Sequence, residues 1–177
     1  MNPRTEDTDL DARRGTVTTE DDGRRRLEFR RSWPDPIEDV WAALTEPDRL
    51  ARWIGTYEGE RRPGGSGTFT MTHEDQPVGE PMTVVECHPP RRLVVQWVQE
   101  QEGSGVWRID LDLSTEGDRT VLRFVQLFAT GTEVSDYAMG WHWYLDKLDA
   151  EVGGHPVPGD WDAFAAEVGP AYGRTPD

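Results

Sequence analysis

Four histidines, His73, His88, His142 and His155, and a single cysteine, Cys87, are the side chains of this 177-residue chain best suited to metal, nucleophilic or acid–base chemistry. Their spacing assembles none of these sites. No two of them show the short separations of a zinc motif, so neither a metal nor any other cofactor is expected. Cys87 and His88 are adjacent, and neighbours on a strand point to opposite faces, so a thiolate–imidazole pair is not implied. Cys87 reads instead as a small buried hydrophobe. His142 and Asp146 are four residues apart, the spacing of a solvated pair on a helix surface. Two polar residues fall among apolar ones. His73 alternates in step with Phe69 and Met71, and is either a neutral imidazole at a strand end or a polar contact for a ligand. Gln126 shares a strand face with Phe124 and Phe128, and a buried amide needs partners, in the core or on a ligand.

The elements that must position these residues follow from periodicity. The stretch 135–152 puts Tyr137, Trp141, Tyr144, Leu145, Leu148 and Val152 on one stripe of a helix. Glycine costs roughly 1 kcal/mol inside a helix, so Gly140 beside Trp141 predicts a close approach to the backbone there. Upstream, residues 16–19 and 24–33 flank Asp21-Asp22-Gly23, a hairpin turn signal. Asp35 as N-cap, Pro36 at the first helical position and Glu38 open a helix that buries Ile37, Val40, Trp41 and Leu44. A short second helix through Leu50, Trp53 and Ile54 ends at Gly55.

From Tyr57 to Phe128 the period is two, the mark of antiparallel strands with one buried face. Phe69, Met71 and His73 form one such face. Leu93, Val95 and Trp97 form another, as do Trp107, Ile109, Leu111 and Leu113, and then Leu122, Phe124, Gln126 and Phe128. Adjacent Val84 and Val85 leave the register of 82–87 ambiguous, and Pro89-Pro90 interrupts the ladder. After a Gly- and Pro-bearing segment, Asp160 can cap a short last helix carrying Trp161, Phe164 and Val168.

Composition excludes several classes. A formal charge of −15 opposes binding to nucleic acid. No apolar run approaches the roughly 20 residues of a membrane span, and neither a signal peptide nor a disulfide pair is present, so a cytoplasmic protein is expected. Residues 1–14 read as a disordered tail, 15–152 as one domain and 153–177 as an extension whose helix packs on it. Arg24-Arg25-Arg26 and Arg30-Arg31 read as a solvated strand edge or, less simply, a docking patch.

The segment Val40-Trp41-Ala42-Ala43-Leu44-Thr45-Glu46-Pro47, continuing through Leu50-Ala51-Arg52-Trp53-Ile54-Gly55, resembles the opening of the family homologous to the C-terminal domain of the activator of heat-shock-protein-90 ATPase. Pro89-Pro90-Arg91-Arg92-Leu93 leading to Trp97, and Gly140-Trp141 followed by Leu145 and Leu148, are similar to its later signatures. That family belongs to the SRPBCC superfamily, with START domains and pathogenesis-related allergens. The resemblance implies an α+β helix-grip fold, in which a curved antiparallel sheet wraps a long C-terminal helix around a cavity. It carries over no catalytic set. Gln126 departs from the histidine many relatives have late in the last strand.

The expected cavity wall is Phe69, Met71, His73, Trp97, Trp107, Ile109, Phe124, Gln126, Gly140, Trp141 and Tyr144. Three functions are open: binding of a small hydrophobic or aromatic molecule, docking on a chaperone partner, or a cyclase- or hydrolase-like reaction in the same cavity. Monomer and homodimer are both compatible with the sequence.

Overall fold

The computed structural model describes residues 10–99, 105–157 and 159–174. Residues 10–13 make one helical turn, and Arg13 at its end reaches Asp146 with an ion pair of 2.8 Å. The expected tail thus lies mostly outside the described residues, and its last residues are anchored.

Eight antiparallel strands form one curved sheet: β1 (Thr16–Thr19), β2 (Arg25–Trp33), β3 (Thr56–Gly59), β4 (Ser66–Thr70), β5 (Gly79–His88), β6 (Arg92–Gln99), β7 (Gly105–Glu116) and β8 (Arg119–Phe128). Their spatial order is β1-β2-β8-β7-β6-β5-β4-β3. Chain neighbours therefore pair throughout except where β2 returns to β8, and the two short helices α1 (Ile37–Thr45) and α2 (Pro47–Trp53) span that gap. The first hairpin turns at Gly23, whose φ of 87° lies in the left-handed region that glycine adopts at little cost.

The long helix α3 (Ser135–Gly153) lies across the concave face of the sheet. Trp141, Tyr144, Leu145, Leu148 and Val152 are buried as the stripe predicts. The opposite side is buried too. Helix α4 (Trp161–Val168) and the 3-10 turn Gly169–Tyr172 fold back over α3, burying Phe164, Val168 and Tyr172. Asp160 caps α4, its carboxylate accepting from the Asp162 and Ala163 amides.

Three local expectations are corrected. Helix α1 starts at Ile37 with Pro36 as its N-cap and no side-chain cap bond. A proline pushes the residue before it into extended backbone, and the Asp35 carbonyl instead accepts the Thr120 hydroxyl at 2.7 Å. The strand through Phe69 stops at Thr70 and does not reach His73. Both of its partners end there, since Thr70 pairs with Thr56 at the start of β3 and with Gly79 at the start of β5. The ambiguity at Val84-Val85 is resolved by a bulge, with the pairing of β5 and β6 shifting between Val84 and Glu86.

Candidate functional site

An apolar hollow of about 310 Å³ lies between the sheet and the helices. Sheet residues Phe69, Met82, Val95, Trp97, Ile109 and Phe124 meet Trp41, Leu44 and Trp53 from the α1–α2 pair and Trp141 and Leu145 from α3. Of its few polar wall groups three are already used within the chain, while the indole N–H of Trp97 has no hydrogen-bond partner among the described residues. Tyr57 donates its hydroxyl to the Glu60 carbonyl, Arg61 donates to the Thr45 carbonyl, and the Thr45 hydroxyl bonds Trp41. Cys87 also lines the hollow, and burial pushes its thiol pKa upward, which keeps it protonated.

A second chamber of about 600 Å³ opens on the other side of Trp97 and Trp141, which border both spaces. Its wall includes Met71, Glu74, Glu80, Gln99, Trp107, Tyr137, Gly140 and Tyr144. The indole of Trp97 is held edge to face by Phe69 at 4.9 Å and by Trp107 at 5.8 Å between ring centroids. Trp141 leans on Phe124 at 4.7 Å and donates its indole N–H to Gln126 Oε1 at 2.8 Å. That bond fixes the amide orientation, because the indole can only donate. Gln126 Nε2 then has no hydrogen-bond partner among the described residues, although the residue is fully buried.

The predicted wall residues are therefore distributed. Phe69, Trp97, Ile109, Phe124 and Trp141 come together around the apolar hollow. Met71, Trp107, Gly140 and Tyr144 face the second chamber. Gln126 sits behind Trp141 as its anchor. His73 lines neither space. It is exposed at the rim, where its Nε2–H donates to the Ala51 carbonyl at 2.9 Å and Nδ1 accepts from Lys147 at 3.2 Å. Gly140 is not a point of tight approach, since a Cβ built there meets nothing within 4 Å. It widens the second chamber. The walls supplied by Trp41, Trp53, Met82, Val95 and Leu122 were absent from the expected set, although the apolar stripes of α1, α2, β6 and β8 that present them are visible in the sequence.

His142 and Asp146, expected at the surface, are buried at 0% and 8% exposure. Tyr172 Oη accepts the Gly15 amide at 2.7 Å and shares a hydrogen bond of 2.9 Å with His142 Nδ1. Its Nε2 faces Asp146 Oδ2 at 3.6 Å, beyond hydrogen-bond distance. Burial is the main cause that drives the His142 pKa down to about 4. Arg31, 3% exposed, binds Asp146 at 2.9 Å and Asp149 at 2.5 Å and donates to the Arg13 carbonyl at 2.8 Å. This cluster borders neither chamber and clasps the N-terminal segment, α3 and the C-terminal turn together. The arginine patch is likewise internal or paired: Arg24 with Asp22, Arg26 with Glu20 and Glu28, Arg30 with Glu116. Among the described residues no group of three or more metal-ligating side chains is placed to hold an ion, and no helix is long and apolar enough to cross a membrane.

A curved antiparallel sheet gripping a long C-terminal helix around an apolar hollow defines a helix-grip protein of the SRPBCC type. The chain belongs to the Activator of Hsp90 ATPase homolog 1-like family, whose model matches residues 35–153. CalU16 from Micromonospora echinospora is similar in its crystal structure, at 28% identity and a TM-score of 0.69 over 90% of this chain and 93% of that one. The protein encoded by gene BPP1335 of Bordetella parapertussis is also similar, at 28% identity and TM-score 0.69 over 84% of each chain. DynU16, a protein in the dynemicin biosynthetic locus, shares the fold at 24% identity and TM-score 0.64, over 77% of this chain and 50% of its own. No curated protein matches the sequence.

Proposed function

We propose that this chain is a binding protein for one small apolar or aromatic molecule, held in the hollow between the sheet and α3. The observation that carries this reading is the wall itself. About 310 Å³ is enclosed by aliphatic and aromatic side chains, a size at the lower end of small-ligand sites. Tyr57, Arg61 and Thr45 on its wall are bonded to the chain, so an incoming apolar molecule strips no hydrogen bonds from them. The imidazoles lie elsewhere and the one thiol stays protonated, which favours binding over covalent catalysis. In this reading residues 15–152 form the binding domain and the C-terminal extension braces the outer side of α3.

The test is native mass spectrometry of the freshly purified chain together with titration of a neutral aromatic probe, N-phenyl-1-naphthylamine. Probe fluorescence is expected to rise on binding. Val95→Phe, which fills the hollow from the floor, is expected to abolish both the rise and any co-purified adduct in a protein with an unchanged far-UV spectrum. A parent protein that carries no adduct and leaves the probe dark overturns the proposal.

A second reading, docking on an Hsp90-type ATPase, is supported by the family's description. Stimulation of such an ATPase by the purified chain is its measurement. The pairing of Arg24, Arg26 and Arg30 with neighbouring carboxylates weakens the patch that would have served as the contact.

A further inference from the structure

The second chamber differs from the apolar hollow in chemistry as well as place. Its wall combines the rings of Trp97, Trp107, Tyr137, Trp141 and Tyr144 with carboxylates, and among the described residues it includes no lysine, arginine or histidine. The carboxylates are not equivalent. Glu74 is tied up by the Tyr144 hydroxyl at 2.5 Å. Glu80, on β5, is only 9% exposed, and its carboxylate has no hydrogen bond or ion pair with any described residue. The rest of the wall offers this carboxylate no positive charge, and a charge drawn back from bulk water calls for a counter-charge. Beside it the Gln99 side chain, 8% exposed, also has its Nε2 without a partner. With Trp97 Nε1 that leaves two N–H donors open on this wall, and Glu80 is an acceptor on it with no counter-charge from the chain.

We propose that this chamber binds an organic cation, a quaternary or protonated amine with compact apolar substituents. The charge sits against Glu80 and the substituents pack on the indole and phenol rings, which attract cations through their electron-rich faces. Gly140 adds room on the helix side, where a Cβ would meet nothing within 4 Å. The net charge of −15 raises the local concentration of cations around the chain. An anion or a neutral molecule of the same shape gains nothing from Glu80.

The inference does not rest on the apolar hollow being occupied, because Val95 lines only that hollow and Glu80 only this chamber. The experiment is isothermal titration of the full chain with choline and with its neutral isostere 3,3-dimethylbutan-1-ol. Choline is expected to bind at least about tenfold more tightly than the isostere, the ratio worth one charge–ring and charge–charge contact. Glu80→Gln is expected to remove that preference in a protein of unchanged far-UV spectrum, and Glu80→Asp, which withdraws the carboxylate by one methylene, to weaken it. Val95→Phe is expected to leave choline binding intact. Equal binding of the two probes, no heat with choline, or a Glu80→Gln protein that binds choline as the parent does overturns the proposal.

Discussion

His142 shows how much one buried titratable residue is asked to do. Its ring packs edge to face on Phe29, Phe164 and Tyr172, with Nδ1 on the Tyr172 hydroxyl and Nε2 facing Asp146 one turn along the same helix. Burial holds its pKa near 4 in the folded protein against 6.5 for a free histidine. The unfolded chain therefore takes up the proton first as pH falls, so the stability present above the unfolded value is lost between these two pH values. The whole loss is about 3 kcal/mol, with about 2 kcal/mol of it gone by about pH 5. Urea unfolding at about pH 7 and about pH 5 measures it. His142→Phe keeps the ring contacts, leaves the Tyr172 hydroxyl without its imidazole partner at a cost of about 1–2 kcal/mol, and is expected to flatten the slope between those conditions. An unchanged slope in the variant would place the acid sensitivity elsewhere. Nothing in the sequence distinguished this buried pair from a solvated one, since an i,i+4 His–Asp spacing is the same in both settings. The residues that cover it, Gly15, Arg31 and Tyr172, are remote in sequence. Arg31 alone left a sign: on β2 it keeps step with Leu27, Phe29 and Trp33, all of which point inward.

Helix α3 is covered on two sides, and its glycine reports on which. Gly140 was expected to mark close packing, because its cost within a helix is normally tolerated for contact. It opens onto the second chamber instead. Gly140→Ala is accordingly expected to stabilise the protein by about 0.5–1 kcal/mol, the difference in helix propensity and unfolded-chain entropy between the two residues. A shift of the denaturant midpoint to higher concentration with an unchanged slope checks it. A loss of stability would mean that the wall closes on that position in solution. The strands and helices were largely legible in the sequence because period two and period 3.6 are imposed by which face is buried. Their ends were less so. Strand β4 stops at Thr70 because its partners stop, which is a property of the sheet and not of the alternation Phe69, Met71, His73. For the same reason the wall was legible as a set of apolar faces but not as two rooms. Trp97 and Trp141 belong to both, and only their positions in space divide the list.

For the whole molecule, the consequence of a sheet wrapped around a helix is that binding and stability are linked. The groups that line the apolar hollow come from α1, α2, α3 and the six strands β3 to β8, so an occupant contacts most of the domain at once. A ligand that binds only the folded chain stabilises it by an amount set by its free concentration over its dissociation constant, about 2.7 kcal/mol at a hundredfold excess. Thermal unfolding in increasing N-phenyl-1-naphthylamine is therefore expected to show a midpoint that climbs with the logarithm of probe concentration. Val95→Phe fills part of the same space with a covalent ring, and cavity filling of this kind adds about 1 kcal/mol where the site accepts it. Its midpoint is expected to start higher and then stay flat as probe is added. Choline acting at Glu80 should raise the midpoint of both proteins equally, because its chamber lies beyond Trp97 and Trp141. A probe that raises parent and Val95→Phe alike would locate its binding outside the hollow, and the two rooms would then have to be treated as one.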